Sequence, residues 1–145
     1  AFAIGGSAII ANYFSNEFIR LGKRVNAHTD IYTIRHFSQE FKKDDLVIFF
    51  SRSGENLTQL ASRAKASGCT VMAVTCEEDS TLARIADKAI VTSEILYMEN
   101  DRNSYSRIAE ISVISVLFLM SALNMGRNSS EFIEHYSDTT NYEKL

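Results

Sequence analysis

Residues 46–56 have the sequence Leu-Val-Ile-Phe-Phe-Ser-Arg-Ser-Gly-Glu-Asn. The first five are apolar without alternation, which predicts a strand that is covered on both faces. Two hydroxyls, a glycine and the unpaired amides of a helix start follow, and this turn favours an anion because the N–H groups and the helix dipole point at the ligand. Gly54 lets the backbone approach a ligand closely. Capping of the helix by Ser53 or Asn56 is the alternative interpretation, and the two roles are compatible.

The rest of the chain alternates short apolar runs with segments of helical spacing, which predicts a parallel sheet with crossover helices. The predicted strands are residues 1–4, 24–28, 46–50, 70–75 and 89–91. The predicted helices are residues 7–21, 31–41 after a cap at Asp30, 55–67, and a short helix ending at 86 after a cap at Ser80 or Asp79. We therefore expect an α/β fold of three layers, α/β/α, around a five-stranded parallel sheet. Ligands of such sheets bind beyond the carboxyl ends of the strands.

A second strand-to-helix turn, Gly5-Gly6-Ser7-Ala8, also brings small residues and a hydroxyl to a helix start. Loops that follow neighbouring parallel strands lie side by side, so Ser7 and Ser53 are expected to face one phosphate. The third glycine of a dinucleotide-binding fingerprint is absent, and there is no Walker lysine motif, which argues against both nucleotide classes. Thr75 ends the fourth predicted strand, where its side chain either lines the same pocket or only completes the hydrogen bonding at the end of the strand.

The composition predicts one ordinary globular domain: 145 residues, 46% hydrophobic, 23% charged, with a net charge of −3. The negative charge argues against nucleic-acid binding by this segment itself. Cys69 and Cys76 fit no metal or redox spacing and are expected to be small buried hydrophobes. We predict no metal, no cofactor, no membrane span and a cytoplasmic location, the last from free thiols without a signal peptide.

A long helix is predicted over residues 104–125, and its apolar residues surround it almost completely. Such a helix must be covered on more than one side, either by a partner subunit or by burial within the monomer. Residues 127–145 are polar with scattered aromatics and are expected to form a last helix or tail of the domain formed by residues 1–126. The chain starts abruptly on an apolar run, so we expect a further segment before it.

These motifs resemble the signature of SIS (sugar isomerase) domains. The resemblance rests on the Ser-Arg-Ser-Gly-Glu turn at 51–55 and extends through residues 68–75, 80–83 and 86–87. The opening turn is similar to the family pattern Gly-x-Gly-x-Ser, with Ala3 in place of the first glycine. Asn56 stands where many members have threonine. The segment from Ser106 is similar to the effector domains of RpiR-type transcriptional regulators.

The resemblance implies a flavodoxin-like sheet, a homodimer or higher homo-oligomer, and a sugar-phosphate site. It implies that Ser7, Ser51, Ser53 and Asn56 hold the ligand, and our predicted site adds Gly5, Gly6, Gly54 and Thr75. It also implies DNA contact only through an N-terminal helix-turn-helix domain that is absent from this chain.

The main hypothesis is a sugar-phosphate sensor of a transcriptional regulator of carbohydrate metabolism. A phosphosugar aldose–ketose isomerase is the alternative, and a dimerisation module with a decayed site is a third. An isomerase needs a general base near the sugar carbons. None of the candidate bases lies in a recognisable catalytic constellation, so no catalytic residue is predicted. These candidates are Glu55, Glu94, Glu99, Glu110, His28 and His36. Glu55 is expected to open a helix, and Arg107 to form a salt bridge across a dimer.

Overall fold

The computed structural model describes residues 1–92 and 107–126. Three parallel strands form the sheet in the order β1 (Leu46–Phe50), β2 (Thr70–Thr75) and β3 (Lys88–Val91). A short 3-10 turn, Gly5–Ser7, precedes the first helix. The helices are α1 (Ala8–Arg20), α2 (Ile31–Phe37), α3 (Thr58–Ala66), α4 (Thr81–Ile85) and α5 (Ile108–Asn124).

The two strands predicted before β1 differ from expectation, since each contributes an isolated bridge and not a strand. Phe2 bridges in parallel to Phe49 on one side and to His28 on the other. The Phe2 amide donates to the Ile48 carbonyl at 2.8 Å, and the His28 amide donates to the Ala1 carbonyl at 2.8 Å. Among the described residues, the backbone bonds that join this segment to its neighbours involve only residues 1–3, which is too few for a longer ladder. The five-stranded sheet is therefore not confirmed.

Local capping explains where several helices begin. The Asp30 carboxylate accepts the amides of Tyr32 and Thr33 at 2.9 and 3.1 Å, as predicted for the start of α2. The Ser80 hydroxyl accepts the Ala83 amide at 3.3 Å and caps α4. The helix predicted from residue 55 begins only at 58, because Leu57 adopts a left-handed conformation with φ 64°. The predicted start of the last helix at 104 and the tail 127–145 lie outside the described residues.

The sheet is covered on both faces, as the apolar run of β1 predicts. Val47 and Phe49 pack with residues of α2, α3 and α4 on one face. Ile48 and Phe50 pack with residues of α1 and α5 on the other. Phe49 is fully buried. The result is the expected α/β/α layering around β1, and it places the turn that follows Phe50 at the edge of the packed core.

Helix α5 is covered on one side only within the described part of the chain. Ile114, Phe118 and Ala122 are buried against the rest of the domain. The opposite side exposes Ile108, Val116, Leu119, Met120 and Leu123. Burial of the whole helix by residues 1–92 of the same chain is therefore excluded. No helix among the described residues is long and apolar enough to cross a bilayer.

Candidate functional site

A cavity of about 290 Å³ lies where the two strand-to-helix turns meet. The turns adjoin because Phe2 pairs directly with Phe49 of β1, which brings the following residues side by side. Ser7 and Ser53 line this same cavity, as expected for two hydroxyls that face one ligand. Its walls are formed by Ile4, Gly5, Gly6, Ser7, Phe50, Ser51, Arg52, Ser53, Asn56 and Arg107.

Ser51 is the most informative residue of the cavity wall. It is only 5% exposed, and its hydroxyl oxygen is buried without a hydrogen-bond partner among the described residues. A buried hydroxyl left unpaired costs about 1–3 kcal/mol, and such groups in folded proteins call for an explanation. Because Ser51 lines the cavity, a polar ligand there would satisfy it.

The hydroxyls of Ser7 and Ser53 are not used as helix caps. Ser7 makes no side-chain capping bond to α1, and its backbone is already helical. Ser53 accepts only a long bond of 3.4 Å from the Glu55 amide. The residue before α3 is Leu57, so the interpretation of Ser53 or Asn56 as the cap of this helix is wrong. Both serine hydroxyls, and the exposed Asn56 amide, remain available to a ligand.

Gly54 and Thr75 lie behind the turn and do not line the cavity. A Cβ on Gly54 would lie 2.1 Å from Ser80 Oγ and 2.9 Å from Thr75 Oγ1, so only glycine fits there. Thr75 is 1% exposed, and its hydroxyl donates to the Arg52 carbonyl at 3.0 Å. Both residues therefore support the turn from inside the protein, and the structure offers no direct ligand contact for either.

Glu55 fastens the turn to α4. Its carboxylate accepts the Thr81 amide at 2.9 Å and the Thr81 hydroxyl at 2.8 Å. The Leu82 amide donates to the Gly54 carbonyl at 2.9 Å. The bond from the Thr81 amide is the main cause that lowers the pKa of Glu55. Glu55 is thus bound to α4, and it does not open α3 as the sequence suggested.

Arg107 lines the cavity, although the sequence predicted for it a salt bridge across a dimer. Its Nη1 lies 2.8 Å from Glu110 Oε1, an ion pair within the chain, and a pair across a dimer stays a prediction. A Cβ on Gly6 would lie 3.0 Å from Arg107 Nη2, which places the guanidinium over the first turn. No local signal marks Arg107, because its position depends on how α5 packs against the sheet.

The described candidates for a general base lie elsewhere. The His28 ring contacts those of Phe2 and Phe37, with centroids at 5.0 and 4.0 Å, and burial lowers its pKa. His36 is exposed and Glu110 is paired with Arg107. Glu94 and Glu99 lie outside the described residues. Among the described residues that line the cavity, none carries a carboxylate or an imidazole.

Comparison with known proteins gives consistent matches. The HTH-type transcriptional regulator YbbH of Bacillus subtilis is 29% identical over 143 residues, covering 96% of this chain and 47% of that protein. The chain thus spans about half the length of this relative. The sugar isomerase domain of the RpiR transcription factor from Sphaerobacter thermophilus matches with a TM-score of 0.79 and 22% identity, over 99% of this chain and 76% of that one.

A third match is the Vibrio vulnificus NanR protein complexed with ManNAc-6P, with a TM-score of 0.74 and 18% identity. It covers 96% of this chain and 53% of that one. At these identities the solved structures establish a shared fold and nothing further. The family model for the SIS domain matches residues 1–120. With the fold, the two adjoining turns and this match together, the chain belongs to the SIS domain family.

Proposed function

We propose that this chain is the sugar-phosphate-sensing effector domain of a helix-turn-helix transcriptional regulator of carbohydrate metabolism. The observation that carries the proposal is the buried hydroxyl of Ser51, which has no partner among residues 1–92 and 107–126 and belongs to a cavity that Ser7 and Ser53 also line. The backbone of Gly5 and Gly6 and the Asn56 amide complete the wall, so hydroxyl and amide donors surround a space suited to a phosphate dianion.

Two further arguments favour a regulator. YbbH, a transcriptional regulator, aligns with nearly the whole of this chain, and NanR was solved with a phosphorylated sugar. The cavity wall also lacks a described carboxylate or imidazole that would move a proton between sugar carbons. Ligand binding would favour one arrangement of the assembly and so bias DNA-binding domains that lie outside this chain.

The sensing proposal is tested by thermal shift against a panel of sugar phosphates, each paired with its unphosphorylated sugar. A ligand at a hundred times its dissociation constant stabilises the folded state by about 2.7 kcal/mol. We expect a shift with the phosphorylated member only, and its loss in Ser53→Ala. Ser62→Ala, on the exposed side of α3, is the matched control and should retain the shift. If no phosphosugar shifts melting in the unsubstituted chain, the proposal fails.

An NMR assay of the ligand found in this screen separates a sensor from an isomerase. The sugar phosphate is incubated with stoichiometric protein, and the aldose and ketose signals are followed over time. A sensor leaves the ratio unchanged at full occupancy. Conversion that requires the protein would establish an isomerase instead.

We also propose that a second copy of the chain covers the exposed side of α5. Exposed leucines at 119 and 123, 59% and 69% accessible, support this, because soluble monomers rarely leave such a continuous apolar stripe open. Sedimentation of Leu119→Lys combined with Leu123→Lys should give a monomer. Asn124→Lys adds charge at a neighbouring exposed position and should leave the assembly intact. A monomer without any substitution would refute the proposal.

A further inference from the structure

Arg107 and Glu110 form an ion pair at the edge of the cavity, and the proposed function assigns no role to this pair. Arg107 lines the cavity, and its side chain is 23% accessible. The Glu110 side chain is 8% accessible and lies in the first turn of α5. The two are joined at 2.8 Å between Nη1 and Oε1. One edge of the guanidinium is thereby fixed to α5.

The other edge of the guanidinium lies over the first turn. A Cβ on Gly6 would lie 3.0 Å from Nη2. Because glycine has no side chain, Nη2 has room to approach the turn at this position. An arginine has five N–H donors in a fixed planar fork, and one of them is sufficient for Glu110. The remaining donors are left for a ligand in the cavity, where the Ser51 hydroxyl has no partner in the described part of the chain.

We propose that Glu110 is a positioning residue that holds the Arg107 guanidinium over Gly6, where it donates to the phosphate of the bound ligand. This inference rests on the proposed anion site. It assigns to α5 a direct part in ligand binding, through a pair whose acidic member is buried and does not reach the cavity. Removal of Glu110 then weakens phosphate binding only because Arg107 loses its orientation.

A double-mutant cycle tests the proposal, with inorganic phosphate as the probe and affinity measured by isothermal titration calorimetry. Arg107→Ala should weaken phosphate binding about 10- to 100-fold, as expected for a charge-assisted hydrogen bond. Glu110→Ala should weaken it about 3- to 10-fold, and the double variant should be no weaker than Arg107→Ala alone. Glu110→Gln keeps an acceptor oxygen for Nη1 and should bind within about threefold of the unsubstituted chain.

Gly6→Ala gives an independent route to the same result. The added Cβ meets only the far end of the Arg107 side chain, so it should displace the guanidinium with little loss of stability. It should weaken phosphate binding more in the presence of Arg107 than in Arg107→Ala. If Arg107→Ala does not fold, Arg107→Lys replaces it, because lysine keeps the charge beside Glu110 but lacks the planar fork of donors.

The outcomes distinguish this inference from the proposed function. An equal loss from Glu110→Ala with and without Arg107 would make Glu110 merely structural and overturn the proposal. Unchanged binding in Arg107→Ala, while Ser53→Ala still weakens it, would overturn it as well and leave the sensor intact. If the unsubstituted chain binds neither phosphate nor any phosphosugar, the proposed function fails and this inference fails with it.

Discussion

The Glu55 carboxylate accepts both the amide and the hydroxyl of Thr81, which lies 26 residues further along the chain. The ligand-facing turn after β1 is therefore fixed from behind by the first residues of α4. Successive residues of this short motif therefore have different roles. Ser51 and Ser53 line the cavity, whereas Gly54 and Glu55 contact α4 and the residues before it.

The Glu55 contact predicts a pH dependence of stability. Hydrogen bonds from Thr81 lower the pKa of Glu55 below its ordinary value of 4.5. Because the folded-state pKa is the lower one, the contribution is present above pH 4.5 and is lost as the pH falls through the folded pKa. Thermal melts of the unsubstituted chain and of Glu55→Gln should differ most near neutral pH and converge in acid. Glu78→Gln, at an exposed position, is the control, and a difference that does not depend on pH would contradict the assignment.

Gly54 is predicted to be irreplaceable for two separate reasons. Its φ is +64°, and a Cβ would overlap Ser80. Gly126 has a φ of +72°, and no atom of the described residues lies within 4 Å of an added Cβ, so this position tests the backbone cost alone. We expect Gly126→Ala to lose about 1 kcal/mol and Gly54→Ala about 2–4 kcal/mol in urea unfolding. Similar losses at both positions would mean that the turn moves away from Ser80 without difficulty.

Much of the fold was predictable because its signals are local. The unbroken apolar run of β1 indicated burial on both faces, and Asp30 and Ser80 indicated helix starts that their side chains do cap. The displaced start of α3 was not predictable, since leucine seldom adopts the left-handed conformation found at Leu57.

The candidate site was predictable only as far as its two turns. Ser7 and Ser53 were expected to face one cavity because neighbouring parallel strands end side by side, and the structure has both in the wall. Arg107 comes from a third element far along the chain, and its approach depends on tertiary packing. Thr75 ends its strand as predicted, but the inward bond of its hydroxyl to the Arg52 carbonyl is not visible in any sequence pattern.

The two cysteines should differ in reactivity although both looked alike in sequence. Cys69 is buried, and desolvation raises the pKa of its thiol, so little thiolate is available. Cys76 is half-buried, with its Sγ 3.3 Å from Thr92 Oγ1. With an aromatic disulfide reagent under native conditions, Cys76 should react first and Cys69 only on unfolding. Cys76→Ser should remove the fast phase, and a fast phase that persists in this variant would refute the ranking.

The Ser51 hydroxyl should reduce stability in the absence of ligand, in contrast to the Thr75 hydroxyl. Ser51 Oγ is buried without a partner among the residues that the structure describes, so Ser51→Ala removes an unsatisfied group. It should leave the free energy of unfolding unchanged or raise it by up to about 1 kcal/mol. Thr75→Val removes a hydroxyl that donates to the Arg52 carbonyl at 3.0 Å and accepts the Glu77 amide at 3.2 Å. The Arg52 carbonyl keeps the Cys76 amide at 2.9 Å, and the loss of both hydroxyl bonds should cost about 1–3 kcal/mol.

The same pair of variants should respond to phosphate in the opposite order. Ser51→Ala should bind phosphate about tenfold more weakly, because Ser51 belongs to the cavity wall and its hydroxyl would donate to the ligand, whereas the fraction of Thr75→Val that is folded should bind normally. Urea unfolding with and without phosphate measures both effects in one experiment. A loss of stability in Ser51→Ala without ligand would show that its hydroxyl already has a partner, and the main argument for an anion site would be lost.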